Sequence, residues 1–145
     1  LEHVLKNLAL QIVTDGEGAT KTITIRVCGA KEEDQAEQIA RTVATSSLVK
    51  TAFFGEDANW GRILAAMGRS GVKFSPDRVD IAFGEVVIVK NGLGLGKDVE
   101  AAATRVLKEK EITVTIDLYD GKACAEVLTC DFSLDYVKIN ADYRS

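Results

Sequence analysis

The spacing of apolar residues changes along this chain, and that change restricts the fold more than any other feature. Apolar side chains recur at helical spacing in residues 1–12, alternate with polar ones in residues 22–28, and return to helical spacing in residues 32–44. The order helix, strand, helix predicts a layered α/β arrangement. No capping residue precedes Leu1, so we expect further protein upstream of the first helix.

The second half of the chain predicts one further helix and four strands. Strands are expected at residues 79–83 and 85–90, and a helix at residues 97–109. Two more strands, residues 112–118 and 122–128, flank a Tyr-Asp-Gly sequence. Because Asp-Gly is a strong turn signal, we expect these last two strands to pair as a hairpin.

Three local features predict caps and a loop. Asp57 stands in an N-cap position ahead of a helix whose Trp60 is expected in the core. The glycine-rich segment 91–98 fits neither a dinucleotide nor a phosphate motif, and we expect a mobile surface loop there. Asp131 and Ser133 are both candidate N-caps for a short helical turn near the end of the chain.

Composition excludes several classes of protein. A chain of 145 residues with 46% hydrophobic content can bury one core, which predicts one domain or two interlocked lobes. The net charge of -4, with lysines and arginines scattered singly, argues against nucleic-acid binding. No apolar run approaches the roughly 20 residues that span a bilayer. We therefore expect no membrane association and a soluble, cytoplasmic protein.

The cysteines and the single histidine do not predict a metal site. The three cysteines, Cys28, Cys124 and Cys130, form an odd count without metal-ligand spacing, which predicts free thiols in a reducing compartment. The single histidine, His3, is expected to be exposed on the first helix and cannot supply a zinc cluster. Any catalysis here would not use a local histidine base of the Ser-His-Asp kind.

Glu17 is unusual because a glycine lies on each side of it. The segment ends in Lys-Thr, yet it leaves a helix and enters a strand, which is the reverse of a phosphate loop. Flanking glycines allow close backbone approach and let a carboxylate point freely, which suits a group that receives an ammonium. The alternative is an ordinary exposed turn that ends the helix.

The end of the chain mixes apolar and hydrogen-bonding residues where most chains carry a polar, frayed tail. We expect the tail to dock, with Val137, Ile139 and Tyr143 as its anchors. Asn140 and the Ser145 hydroxyl would then need polar partners from the protein or from a ligand.

Four blocks, in order and at matching separations, resemble the β chain of the ornithine acetyltransferase family, the bifunctional glutamate N-acetyltransferases of arginine biosynthesis. They are DGEGATK at 15–21, KTAFFGEDANWGR at 50–62, ILAAMGRSG at 63–71 and YVKINADYRS at 136–145. The resemblance implies part of an N-terminal-nucleophile-like acetyltransferase core together with a smaller α/β lobe. It divides the chain into a core part at 1–50, a C-terminal lobe at 51–130 and a tail that returns to the active site at 131–145.

The resemblance also implies a chemistry. In that family a precursor cuts itself into α and β chains, and the new N-terminal threonine of the β chain takes the acetyl group from N-acetylornithine and passes it to glutamate. Leu1 is not that threonine, so no catalytic nucleophile is expected in this chain. The family's substrate contacts fall on Glu17, Asn140 and Ser145, the last commonly threonine in the family.

The partners implied are the α chain of the same precursor in an α2β2 assembly, and the amino acids N-acetylornithine and glutamate. No cofactor and no metal are expected, although some family members also use acetyl-coenzyme A as a substrate. Two other functions stay open: a related N-terminal-nucleophile hydrolase or amidase, in which water resolves the acyl-enzyme, and a non-catalytic structural module.

Overall fold

The computed structural model describes residues 1–143, with Glu2 described by its backbone alone. Within that range the helices are α1 Glu2–Thr14, α2 Glu33–Ala44, α3 Ser47–Phe54, α4 Trp60–Gly68, α5 Lys97–Val106 and α6 Leu134–Asp142. The strands are β1 Thr22–Ala30, β2 Asp80–Phe83, β3 Val86–Lys90, β4 Leu93–Gly94, β5 Glu111–Asp117 and β6 Ala123–Cys130. The layered α/β class predicted from apolar spacing is confirmed.

All six strands form one sheet in the order β4-β3-β2-β5-β1-β6. β1 runs parallel to β5 and antiparallel to β6, so it separates them, and the hairpin predicted for β5 and β6 is wrong. The Asp-Gly turn instead carries the chain across the end of β1. There Leu118 N–H donates to the Cys28 carbonyl at 3.0 Å, and Asp120 N–H donates to the Gly29 carbonyl at 2.7 Å. The N–H groups of the turn therefore bond to carbonyls of β1, and they do not close a hairpin between β5 and β6.

The sheet crosses the boundary predicted at residue 50. β1 belongs to segment 1–50, whereas both of its neighbours belong to segment 51–130. The two segments therefore share one sheet. The division into 1–50, 51–130 and 131–145 stays a prediction about roles.

The core lies between the sheet and the helices that follow β1. α2 packs on β1 and β6, α4 packs on α2, and α5 packs on β3. The alternation predicted for β1 is present, because Ile23, Ile25 and Val27 are fully buried while Arg26 is exposed. Apolar faces of the helices complete this core, with α2 contributing Ala36, Ile39, Ala40 and Val43.

α1 forms as predicted, but most of its apolar side chains stay outside the core. Ile12 is 74% exposed, and Leu5 and Leu8 are also exposed. α1 lies beside β6, where the Lys6 ammonium is 3.2 Å from a Glu126 carboxylate oxygen. None of the helices in the described range is long and apolar enough to cross a membrane.

The anchors predicted for the tail are wrong. Val137, Ile139 and Tyr143 are all exposed, Tyr143 at 80%. Within the described residues the apolar side of α6 therefore lacks a covering element. Polar contacts at the start of α6, made by Asp131 and Ser133 with residues 18–21, hold the tail instead.

Three details at or near Trp60 differ from expectation. Asn59 caps α4 in place of Asp57, since the Asn59 side-chain oxygen accepts the Arg62 backbone N–H at 3.2 Å. Trp60 is only partly buried against the core. The segment predicted as a surface loop contains β4, whose Gly94 lies so close to the Trp60 ring that a Cβ there would be 2.7 Å from the ring.

The prediction of three free thiols is wrong for two of them. Cys28 and Cys124 are joined as a disulfide between β1 and β6, with their Cα atoms 4.1 Å apart. The antiparallel register of these strands, with an irregularity after Val27, brings the two side chains opposite each other. Cys130 is free. The error arises because strand pairing, which sets this contact, is not visible in cysteine spacing.

Candidate functional site

The Glu17 loop, residues 15–21, turns at two glycines and projects Glu17 outward. Gly18 has a φ of 67°, and a Cβ at that position would lie 2.5 Å from the Tyr136 nitrogen and 2.9 Å from Ser133 Oγ. Only glycine combines this backbone conformation with so close an approach. Glu17 is therefore exposed on one side of a loop whose other side presses against the start of α6.

Asp131 fixes the exit of the Glu17 loop. Its carboxylate accepts hydrogen bonds from the Thr20 N–H at 2.8 Å, the Thr20 hydroxyl at 2.5 Å and the Lys21 N–H at 2.9 Å. Asp131 is only 2% exposed. The interpretation of Asp131 as a helix N-cap is wrong, because its carboxylate oxygens accept hydrogen bonds from the Glu17 loop and not from the backbone N–H groups of α6.

Ser133 is the N-cap of α6, as predicted. Its Oγ accepts the Tyr136 N–H at 3.2 Å, and its hydroxyl donates to the Gly18 carbonyl. One side chain thus caps the beginning of α6 and joins it to the Glu17 loop. The direction in which α6 leaves the sheet is set at this point.

Asn140 reaches back from α6 to Glu17. Its side-chain nitrogen donates to the Tyr136 carbonyl at 2.9 Å and lies 3.5 Å from Glu17 Oε2. The structure therefore brings together two of the three residues predicted to bind substrate. The third, Ser145, lies outside the described residues.

Two lysines tie this region to α3. Lys21, with a side chain only 9% exposed, donates to the Phe53 carbonyl at 3.1 Å and the Leu107 carbonyl at 2.5 Å. The Lys50 ammonium lies 4.3 Å from the centre of the Phe132 ring. These contacts position both halves of the site, and sequence reasoning missed them. Both lysines lie inside blocks that carry the family resemblance, but nothing local in the sequence indicates their partners.

Glu17 and Asn140 offer chemical groups that are complementary to the two ends of a zwitterion. Among the ion pairs formed within residues 1–143, none involves Glu17, so its carboxylate is available to an incoming cation. The Asn140 amide can donate to a carboxylate. An amino acid presents both groups. The described residues contain no cluster of three or more histidine, cysteine, aspartate or glutamate side chains that could hold a metal ion.

A second polar cluster lies at the opposite end of the sheet, around Asp80. This carboxylate accepts hydrogen bonds from the Lys90 ammonium, from the Asn91 N–H at 2.9 Å and from the Tyr119 hydroxyl at 2.8 Å. Burial favours a raised pKa for Asp80, but the three hydrogen bonds and the Lys90 charge outweigh it and hold the pKa below its usual value. The hydrogen bond to Asp80 raises the pKa of Lys90 and also that of Tyr119.

Comparisons with known proteins agree over the whole chain. The ArgJ family model matches residues 1–145. The arginine biosynthesis bifunctional protein ArgJ of Desulfotalea psychrophila is 72% identical over all of this chain, and that of Geobacter sulfurreducens is 55% identical. In both cases the chain spans 37% of the length of the relative. The crystal structure of arginine biosynthesis bifunctional protein ArgJ from Bacillus halodurans matches with a TM-score of 0.93 and 42% identity, covering 97% of this chain and 66% of that one.

Proposed function

Since this chain belongs to the ArgJ family, we propose that it forms the amino-acid-binding part of an acetyltransferase of arginine biosynthesis. The complete protein moves an acetyl group from N-acetylornithine to glutamate through an acetyl-threonine intermediate. The threonine belongs to a part of the protein outside this chain. The proposal includes no cofactor, and acetyl-coenzyme A is a candidate second acetyl donor, as it is for some members of the family. A cytoplasmic location also stays a prediction.

The observation that carries the proposal is the contact between Glu17 and Asn140. Residues 123 positions apart place a carboxylate and an amide 3.5 Å from each other while both side chains remain exposed. The carboxylate suits an ammonium, and the amide suits a carboxylate. In N-acetylornithine the α-nitrogen is an amide, so the ammonium left for Glu17 is the one at the end of the side chain. Ser145 supplies a hydroxyl to the substrate carboxylate in this proposal.

The transfer takes two steps. The threonine hydroxyl oxygen attacks the acetyl carbon, the amide C–N bond breaks, and ornithine leaves as an amine after taking a proton. The glutamate amine then attacks the ester carbonyl, the C–O bond breaks, and the threonine oxygen regains a proton. Such a threonine can use its own α-amine as the base, which requires no histidine. Glu17 and Asn140 hold the amino acid while these bonds change elsewhere.

Replacing Glu17 in the complete protein tests this site. Glu17→Gln keeps the shape and removes the charge, so we expect ornithine to bind at least about ten-fold more weakly, since a hydrogen bond to a charged group contributes about 1.5–3 kcal/mol. Titration calorimetry with ornithine measures this without acetyl transfer. Glu85→Gln, at an exposed carboxylate on the turn between β2 and β3, is the control and should bind normally. Equal dissociation constants for both variants would remove Glu17 from the site.

The remaining part of the protein covers α1 in this proposal. Leu8 and Ile12 lie on an exposed apolar stripe, and curated relatives are much longer than this chain. The covering partner is the α chain of the same precursor, in an α2β2 assembly. Ile12→Asp should release the α chain during gel filtration of the complete protein, whereas Asn7→Asp, on a polar part of α1, should not. Retention of the α chain by the Ile12 variant would rule out this surface.

A further inference from the structure

Asp131 sits where the two halves of the site meet. It follows β6 directly and precedes the Ser133 cap of α6 by two residues. Its three donors all come from Thr20 and Lys21, at the exit of the Glu17 loop. A single buried carboxylate therefore joins the loop that carries Glu17 to the segment that carries Asn140.

The Glu17 loop is attached at several positions directly after Glu17. Gly18 is attached to α6 through the Ser133 hydroxyl, and Thr20 is attached through Asp131. Lys21 then ties the loop to the ends of α3 and α5. Since the backbone is fixed at these points, the direction of the Glu17 side chain depends on them.

The same contacts aim Asn140. It lies seven residues after Ser133, which is close to two helical turns and places both side chains on one face of α6. Ser133 faces the Glu17 loop, so Asn140 faces it as well, about 10 Å further along the helix axis. A small rotation of α6 at its first turn would therefore displace Asn140 by more than it displaces Ser133.

We propose that Asp131 is a positioning residue that sets the distance between Glu17 and Asn140 and thereby the affinity for the amino acid, without touching it. This inference rests on the proposed function of the site. Breaking the contact of Asp131 with Thr20 leaves α6 attached to the loop through the hydrogen bond from Ser133 to Gly18, but removes the second attachment at Thr20. The distance between Glu17 and Asn140 is then less strictly fixed, and the two polar groups match the ends of the substrate less well. Loss of preorganisation of this kind weakens binding even when every contacting residue is present.

The structure offers a matched control in Asp80. Asp80 is 8% exposed and also accepts three hydrogen bonds, but at the opposite end of the sheet. A purely structural role for Asp131 predicts that Asp131→Asn and Asp80→Asn behave alike. A positioning role predicts that only Asp131→Asn changes binding.

The experiment compares Asp131→Asn, Asp80→Asn and Glu17→Gln in the complete protein, measuring ornithine binding, KM and kcat for acetyl transfer, and urea unfolding. For Asp131→Asn we expect ornithine to bind at least five-fold more weakly and KM for N-acetylornithine to rise by a similar factor, with kcat within two-fold. Asp80→Asn should lower stability and leave binding within two-fold. Equal loss of affinity in the two asparagine variants, or unchanged affinity in Asp131→Asn, would overturn the inference.

Two further variants keep the test decisive if Asp131→Asn does not fold. Thr20→Val removes one hydroxyl that donates to Asp131 and should weaken ornithine binding two- to three-fold, whereas Thr20→Ser keeps the hydroxyl and should restore it. Identical binding by both Thr20 variants contradicts the inference. Glu17→Gln separates the two proposals: normal binding by that variant rejects the site itself, whereas weak binding by Glu17→Gln with normal binding by Asp131→Asn and Thr20→Val rejects only the role of Asp131.

Discussion

At each end of the sheet a buried carboxylate accepts three hydrogen bonds, Asp131 beside the start of β1 and Asp80 beside the end of β5. Asp80 has a full positive charge among its donors, because Lys90 is one of them. Asp131 is held by neutral donors from Thr20 and Lys21. The two ends therefore resemble each other in hydrogen bonding and differ in charge.

The two carboxylates also differ in whether the polar groups around them are already paired with one another. At the Asp80 end, Arg78 donates to the Tyr119 carbonyl and Lys90 lies near the Tyr119 ring, so the polar groups are engaged with one another. At the Asp131 end, Glu17 and Asn140 remain exposed with only a long contact between them. The polar groups around Asp80 are paired with one another, whereas Asp131 supports Glu17 and Asn140, which remain exposed to a ligand.

The largest effect should come from Gly18, the glycine at which the Glu17 loop approaches α6. Gly18→Ala brings a Cβ against the backbone of α6, so we expect a loss of about 3 kcal/mol, from left-handed strain of about 1–2 kcal/mol plus the displacement of α6. Gly84→Ala, at a φ of 54° with a Val106 methyl 3.4 Å away, should cost only about 1 kcal/mol. Urea unfolding of the complete protein measures both. Similar losses in both variants would show that the approach of the Glu17 loop to α6 contributes little.

A smaller effect should appear in the acid stability of the Asp80 end. The lowered pKa of Asp80 means that its contribution is fully present above the unfolded value near 3.9 and is lost as pH falls through the folded pKa. We expect Asp80→Asn to be about 1–2 kcal/mol less stable than the parent protein at pH 7. That difference should narrow below about pH 4. A difference that stays constant from pH 7 to pH 3 would contradict a charged role for Asp80.

The smallest effect should come from an ion pair on the open face of the sheet. Arg26 and Lys6 both bind Glu126 and lower its pKa, the hydrogen bond from Arg26 being the main cause. All three side chains are partly exposed, so Glu126→Gln should cost less than about 1 kcal/mol and less still at high salt. Melting temperatures at low and high salt measure this. A loss of stability as large as that of Asp80→Asn would mean that solvent exposure does not explain the difference between Glu126 and Asp80.

Much of the fold could be predicted from periodicity, because helices and strands are local. The bounds of α2, β1 and β3 lie within a residue or two of those expected. The order of strands could not be predicted: a strong Asp-Gly signal indicated a hairpin, yet β1 takes the place between the two strands. The Cys28–Cys124 disulfide could not be predicted for the same reason, because it depends on which strands are neighbours in the sheet.

The candidate site could also be predicted only in part from the sequence. The family resemblance is confirmed, and it led to Glu17 and Asn140, which the structure brings into contact. Their binding of substrate, and that of Ser145, stays a prediction. The role of Asp131 was mistaken because a capping pattern describes only nearby backbone, whereas its donors lie more than a hundred residues earlier in the chain. Apolar residues were likewise expected to anchor the tail, although polar contacts hold it.

The place of β1 in the sheet also affects how the chain can be made. β1 pairs only with β5 and β6, which follow it in the chain after three other strands. A nascent chain therefore carries Ile23, Ile25 and Val27 past the ribosome exit long before a neighbouring strand exists to cover them. The sheet around β1 can close only after residues 111–130 have been made, and until then the exposed apolar strand needs protection from contact with other molecules.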